Sequence, residues 1–392
     1  MVIPLPGPDE VRLTRPDADE VAATARGIAS VVAPAGGLTD LQRVLLEALF
    51  PAMTEHRVDL SRYEPMTVDE LADVLRFRNR EFRTRGVQVA LLAALVLRPL
   101  PPEVAARVDD LAGTLGVDEG MVDVARRFAA GSLGLAAVDF ERNGYTADWH
   151  ADDRHELHTS RELATAWDLA VDDPPLAEQW AALGALPEGT LGRGVWQLYR
   201  ARGFVFPGRP GSAPPLLAQH DWVHVLGAYG TRVESELEVF ALIARANDDM
   251  RAFSLLAMVV SLLETGYLRT GAGLFQYDLG HLSGGQSAGQ SAGQSMAIRV
   301  ADAMRRGAWC HDRETGSDSV DFLRQDWFAL APLPLEQVRA RFSLRSKSPE
   351  AVAAGSVGPW EPGGISPFQM DAGRSLAAHE SRVYEPYGAS PE

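Results

Sequence analysis

The sequence predicts an all-α fold of two helical domains, and three observations carry the prediction. Apolar residues recur at helical spacing in segment after segment, as in Leu41, Val44, Leu45 and Leu49. Helix starts are marked by capping chemistry, most plainly in Thr67-Val68-Asp69-Glu70. His220 and His224 stand four apart, which sets both imidazoles on one side of a helix. A chain of 392 residues is long enough for two domains with real cores. The polar stretch 141–158 breaks the periodicity and is the expected boundary between them.

The elements follow in order. Residues 1–37 are rich in Pro, Gly and Ala and read as a flexible lead-in, with at most a short helix over Ala18–Val32. Thr39 or Asp40 can cap a helix through Phe50, which Pro51 kinks or ends. The capping box at Thr67 opens a helix through Arg78. Phe82 to Leu97 is apolar nearly all round and belongs at the centre of the first domain, with Pro99, Pro101 and Pro102 stopping it. Glu103 to Leu115 and Asp118 to Leu133 complete a bundle over 38–145. This bundle resembles TerB-like helical domains of tellurite-resistance proteins. It has no acidic metal-binding loop, so a plain structural bundle is the expectation.

In the second half, Arg161 to Ala170, Leu176 to Leu183 and Thr190 to Arg202 read as helices, and Gly203 to Pro215 is a Pro/Gly loop. The helix bearing the histidines comes next. Gly227 and Gly230 interrupt it, and a second apolar-periodic segment from Val233 lets the chain fold back. Leu237 to Ala246 and Met250 to Leu263 are strongly apolar. The latter reads either as a buried helix or as one wall of a tunnel for a long apolar chain. Residues 283–295 carry a short Gly-Gln-Ser-Ala repeat expected to be a flexible loop, and Met296 to Arg306 resumes a helix. Asp321 to Leu330 and Leu335 to Phe342 close the domain. Residues 344–392 form a Pro/Gly-rich tail, disordered unless Trp360, Phe368, Tyr384 and Tyr387 pin it.

Composition excludes several functions. The net charge of −16 argues against nucleic acid and against simple electrostatic adhesion to anionic lipid. The only lysine is Lys347, so a Schiff-base or P-loop mechanism lacks its residue. Cys310, the one cysteine, excludes an intramolecular disulfide and fits a reducing compartment. The first ten residues are Pro-rich and acidic, unlike a signal peptide. The longest apolar run, Val87 to Leu97, is too short to span a bilayer. A cytoplasmic protein is expected, with peripheral membrane contact through an apolar patch left open.

The chemistry concentrates in HDWVHVLGAYGTRVESE, His220 to Glu236. Two imidazoles and neighbouring carboxylates suit one divalent metal such as Zn, Fe, Mn or Co. Glu236, twelve residues after His224, can reach the same point from the next helix. Asp221 has two readings. Adjacent helix residues point about 100° apart, so it is either a ligand or a group that accepts a hydrogen bond from a ligand or from metal-bound water. A second cluster, His150, Asp152, Asp153, His155, Glu156 and His158, fits no metal geometry and reads as a hydrated acidic linker.

His-Asp-x-x-His, eleven residues and Glu resembles the signature of the Coq4 family of ubiquinone-biosynthesis proteins. Two further blocks resemble that family in the same order: LPEGTLGRGVWQLYRARG (Leu186 to Gly203) and DFLRQDWFALAPLPLEQVRARF (Asp321 to Phe342). The likeness spans residues 155–343, about half of the chain. Ser235 departs from it, since family members usually place Gly before the glutamate. The resemblance implies that His220, Asp221, His224 and Glu236 are both metal ligands and the catalytic set. Arg193 matches the arginine of the Leu-Gly-Arg segment. It either binds a substrate carboxylate or phosphate or forms an internal ion pair. The implied function is a metal-dependent enzyme acting on a lipophilic prenylated or acyl aromatic, such as a quinone precursor, by oxidative decarboxylation and hydroxylation. The alternative is a non-catalytic lipid-binding scaffold that organises a biosynthetic complex. A homodimer is also implied.

Overall fold

The computed structural model describes residues 15–97, 100–117, 172–210, 212, 215–247 and 290–387, together with 122, 252 and 256. Among the described residues there are fourteen α-helices, one short 3-10 turn and no strand, so the fold is all-α. Two isolated bridges, Thr190 with Pro334 and Asp312 with Ser317, are the only β-type pairings among them. No described helix is long and apolar enough to cross a membrane.

The chain divides into two compact units. The first contains α1 (Ala18–Val32), α2 (Asp40–Thr54), α3 (Val68–Leu75), α4 (Arg80–Leu95) and α5 (Pro102–Thr114). Helix α1 packs against α2, α3, α4 and α5, so it is a core element and not part of a lead-in. Its alternation of Ala and Val gave little periodic signal, yet Val21, Ala25, Ile28, Ala29 and Val32 are buried. Helix α4 is buried on every face from Gly86 to Leu95, as its all-round apolarity requires. Leaving water stabilises each of Val87, Val89, Leu91, Leu92 and Leu95 by about 1.5–3 kcal/mol. Each such gain is of the same order as the roughly 1–3 kcal/mol that burying one polar group without a hydrogen bond costs.

Capping explains where the helices begin. Thr39 and Gln42 form a capping box at α2. The Gln42 amide also donates to the carbonyls of Val32 and Ala93, joining α2 to the ends of α1 and α4. Helix α2 runs one turn beyond Pro51 and ends at Glu55, with a positive φ of 68°. Helix α3 carries the expected box but stops at Leu75, three residues early. Asn79 must be extended to cap α4 through the Phe82 amide, and Arg78 turns inward to pair with half-buried Glu20.

The second unit contains α6 (Pro174–Ala182), α7 (Leu191–Arg202), α8 (Pro215–Gly227), α9 (Val233–Ala246), α11 (Trp327–Leu330), α12 (Leu335–Arg341), α13 (Pro349–Ala353) and α14 (Pro367–His379). Helix α10 (Gln290–Ala308) belongs to the first unit through Ala301 and to the second from Asp302. The division is therefore not contiguous in sequence, because local periodicity shows a helix but not which core receives it. Helix α10 also takes up the last part of the Gly-Gln-Ser-Ala repeat, from Gln290, which the sequence places in a loop. Helix α11 is shorter than expected: the Asp321 carboxylate accepts the Leu323 amide in a turn, and Asp326 caps the helix only at Trp327 by accepting the Ala329 amide.

The C-terminal segment is not a loose tail. Helix α14 packs against α7, the Tyr384 hydroxyl donates to the Ala201 carbonyl, and Trp360 lies under the Arg202 guanidinium. Phe368, in contrast, is exposed. Several expectations lie outside the described residues: the helices at 118–133, 161–170 and 250–263 apart from isolated positions, the boundary at 141–158 with its acidic cluster, and the proposed tunnel wall.

Candidate metal centre

Helix α8 presents His220, Asp221 and His224, all buried, with donor atoms within 4.8 Å of one another. Glu236 arrives from the first turn of α9. Its two carboxylate oxygens address the two histidines separately: Oε2 lies 3.1 Å from His220 Nε2 and Oε1 lies 3.3 Å from His224 Nε2. His220 Nε2 is also 3.5 Å from Asp221 Oδ1.

The turn between the two helices makes this convergence possible. After Gly227 the Tyr229 amide returns to the His224 carbonyl and the Ala228 amide to that of Val225, the paired bonds of a Schellman ending. Ala228 occupies the left-handed position, with φ 58°. The Val225 and Leu226 carbonyls accept from Arg339 and the Gly227 carbonyl accepts from Arg306, so the end of α8 is satisfied by arginines. Arg339 is the arginine of the Pro-Leu-x-x-Val-Arg segment, and its work here is to fasten the end of α8.

His224 fixes the chemistry most narrowly. Its Nδ1 is 2.7 Å from the Gly230 carbonyl, and a carbonyl only accepts, so Nδ1 carries the proton. In the neutral ring Nε2 then presents a lone pair. This nitrogen is fully buried, has no directed hydrogen bond, and faces a carboxylate oxygen. Lone pair against carboxylate is repulsive, and a cation between them resolves it, either a proton or a metal ion. The spacing suits a metal: ligands bonded at about 2.1 Å stand roughly 3.0 Å apart at a right angle and roughly 3.4 Å apart at a tetrahedral one. The Nε2–Oε separations at Glu236 fall in that span. The donor set, two imidazole nitrogens with hard carboxylate oxygens, therefore fits a divalent transition metal.

Electrostatics agree with convergence. Burial pushes the Glu236 carboxyl up, but positive charge at His224 and His220, as a proton on each Nε2 would supply, outweighs it and holds this group well below the usual carboxylate range. Asp221 goes the other way. Burial raises it, Glu236 adds to the rise, and the two histidines with the Tyr199 hydroxyl only partly offset this. Tyr199 donates its O–H to Asp221 Oδ2, and burial followed by the Asp221 charge pushes the phenol well above its ordinary value. One Asp221 oxygen is thus committed to Tyr199, while the other faces His220.

Aromatic packing encloses the group. Phe240 stacks on the His220 ring at 5.0 Å, and Trp222, on the opposite side of α8, stacks on Trp327 at 5.8 Å. Trp180 and Phe328 close around Trp222. The two outer sequence blocks meet here. The Leu191 and Gly192 amides donate to the Leu333 and Ala331 carbonyls, and a Cβ on Gly192 would stand 2.7 Å from that of Ala331. Gly194 is likewise hard against Val225, where added bulk would separate α7 from α8.

Arg193 donates to the Gly184 carbonyl and lies 4.6 Å from the Trp196 ring, and it forms no ion pair among the described residues. On α7 it is about 120° round from Tyr199. Two residues of α7 that were not site candidates in the sequence have polar roles beside the site. Tyr199 sits in the apolar stripe with Val195 and Leu198, and only its hydroxyl hinted at a partner. Arg202, one turn on, is fully buried and donates to Thr231 and to the Pro359 carbonyl. An arginine in register with an apolar stripe was the available signal for it.

No protein-family model, curated protein or solved structure matches this chain.

Proposed function

We propose that this chain is a Coq4-like metal-dependent enzyme acting on a lipophilic aromatic or quinone-precursor substrate. The proposed reaction class is oxidative removal of a ring carboxylate with hydroxylation at that carbon, in quinone or natural-product biosynthesis. The observation that carries the metal-dependent part is the Glu236 carboxylate placed between two Nε2 atoms, one of them a lone pair with no directed hydrogen bond. Support for the family reading is the meeting of three sequence blocks at one place: α7 supplies Tyr199 to Asp221, and the Asp321 to Phe342 block supplies Trp327 and Arg339 to α8.

His220, His224 and Glu236 would hold the ion, with Asp221 beside them. A bound divalent ion supplies a Lewis acid that polarises a carboxylate or enolate oxygen, or activates dioxygen if it is redox-active. The protein residues do the rest. Gly230 sets the His224 tautomer. Tyr199 orients Asp221 so that one oxygen can accept a proton or hydrogen bond inside the site. Phe240, stacked on His220, covers the donors on that side, and the Trp222–Trp327 stack holds the other side of α8.

One observation favours the scaffold reading: every donor is buried, as in a closed structural site. Elemental analysis of wild type and of the His220→Ala, His224→Ala double variant tests the centre, and turnover by Glu236→Ala separates the readings. One metal per chain in wild type, absent from the double variant, with turnover abolished in a folded Glu236→Ala, supports the enzyme. Product formation that survives removal of the ligands leaves the scaffold. No metal in folded wild type after reconstitution removes the metal-dependent proposal.

A further inference from the structure

We infer that the C-terminal segment, residues 356–379, is a positioning device for the metal centre, acting on His224 through a single peptide group. This rests on the metal-binding reading above. The segment lies beyond the last of the three blocks and contributes no candidate ligand of its own.

The contact runs through the peptide joining Gly230 to Thr231. On one side, the Gly230 carbonyl accepts from His224 Nδ1 at 2.7 Å. On the other, the Thr231 amide donates to the Gly364 carbonyl at 2.8 Å. A trans peptide is planar, with its C=O and N–H pointing in opposite directions. The Gly364 carbonyl therefore fixes where the Gly230 carbonyl points, and with it the plane and tautomer of the His224 ring. The same bond polarises the peptide and makes the Gly230 oxygen a better acceptor. That increases electron density on the imidazole and strengthens Nε2 as a ligand.

The surrounding residues keep this peptide in place. The Gly230 amide donates to the Val357 carbonyl at 3.0 Å. Arg202 Nε donates to Thr231 Oγ1 at 2.6 Å, and its Nη2 donates to the Pro359 carbonyl at 2.7 Å. Gln369 grips Thr231 twice, accepting from its hydroxyl at 2.8 Å and donating to its carbonyl at 2.9 Å. The same side-chain oxygen of Gln369 accepts the Ser366 amide, which ties this grip to the start of α14. Gly230 has no room for a side chain, since a Cβ would stand 2.7 Å from Gly364. Arg202, Thr231 and Gln369 are all buried. They touch neither donor nitrogen and act through the peptide alone.

The test is a titration with Co2+ alone, followed by its visible absorption bands and by chelator competition. It uses the full-length chain as wild type and as the variants Gln369→Ala, Thr231→Val, Thr231→Ser and Gly230→Ala, each checked for helical content. Gln369→Ala, Thr231→Val and Gly230→Ala are expected to bind Co2+ about 10–100-fold more weakly, the range for losing a group that orients a ligating histidine, and with shifted bands. Thr231→Ser keeps the hydroxyl and is expected to match wild type. Folded variants that unfold at lower temperature but bind Co2+ with unchanged affinity and spectrum would overturn the inference, leaving a merely structural clamp. Should one variant fail to fold, the other two decide. Wild type that binds no Co2+ defeats the metal reading itself, a different outcome from a wild type and variants that bind alike.

Discussion

Asp221 shows how one residue divides two descriptions of the site. Its Oδ2 is taken by the Tyr199 hydroxyl, and its Oδ1 stands 3.5 Å from His220 Nε2. If it orients His220 or a bound water and is not itself a ligand, Asp221→Asn keeps one metal per chain and weakens affinity about 10–100-fold. Loss of stoichiometric metal on elemental analysis would make it a ligand. Tyr199→Phe removes the donor to a buried carboxylate and is expected to cost about 1.5–3 kcal/mol in denaturant unfolding. A residue far from the donors gives a pH signature. Burial pushes the Asp321 carboxyl from 3.8 up to about 6. Below its ordinary value it is neutral folded or unfolded, so its side chain opposes folding only once it must ionise. That stability is complete below about pH 4 and is lost as pH rises to about 6. Asp321→Asn keeps the oxygen that accepts the Leu323 amide. It should raise stability at pH 8 by about 1–2 kcal/mol and leave it unchanged at pH 4, given about 1.4 kcal/mol per pKa unit and some shielding by water. A wild-type melting curve with no excess loss over that window would refute the buried-acid argument.

At the scale of elements, glycine separates contact from conformation. Gly192 lies in the first turn of α7, and an added Cβ would meet Ala331, Leu186 and Leu183 at 2.7–3.0 Å. Relief of glycine's chain entropy gains about 0.5–1 kcal/mol, but overpacking costs about 1–3 kcal/mol. Gly192→Ala is therefore expected to destabilise. Gly113, near the end of α5, would meet nothing within 4 Å, so Gly113→Ala is expected to stabilise by up to about 1 kcal/mol. Opposite signs in paired thermal melts check the claim; like signs would mean that α7 does not approach the 331–333 turn as described. Capping was legible at this scale because it is local: Thr39 and Thr67 form the boxes their sequences spell. The ends were less so. Helix α3 stops for Arg78, whose partner Glu20 lies on α1, 58 positions away and outside any window of a few residues.

For the whole molecule, the two-unit division makes a prediction about where metal matters. All four candidate ligands lie in the second unit, and their support comes from α7, α12 and the C-terminal segment of that unit. A ligand that binds only the folded state at a thousand times its Kd adds about 4 kcal/mol. Removing the metal with a chelator should therefore lower hydrogen-exchange protection in α7, α8, α9 and α14 and leave α1 to α5 as they were. Equal loss across both sets of helices, or none in α8, would contradict that assignment.

By itself the sequence determined the helical class, the capping boxes and a short list of candidate ligands, because periodicity, capping and the His220–His224 spacing are each complete within a few residues of chain. It also contained the blocks that meet around the centre, though not the purpose of each. Tertiary structure alone decided that α1 and the C-terminal segment are packed parts of their units, that Arg193 faces Trp196, and that Tyr199 and Arg202 serve the site from an apolar stripe. Those outcomes depend on partners up to 183 positions away, as between Ala201 and Tyr384. The physical reason is that a side chain's role is set by what its face of the helix meets, and that neighbour is supplied by another part of the chain.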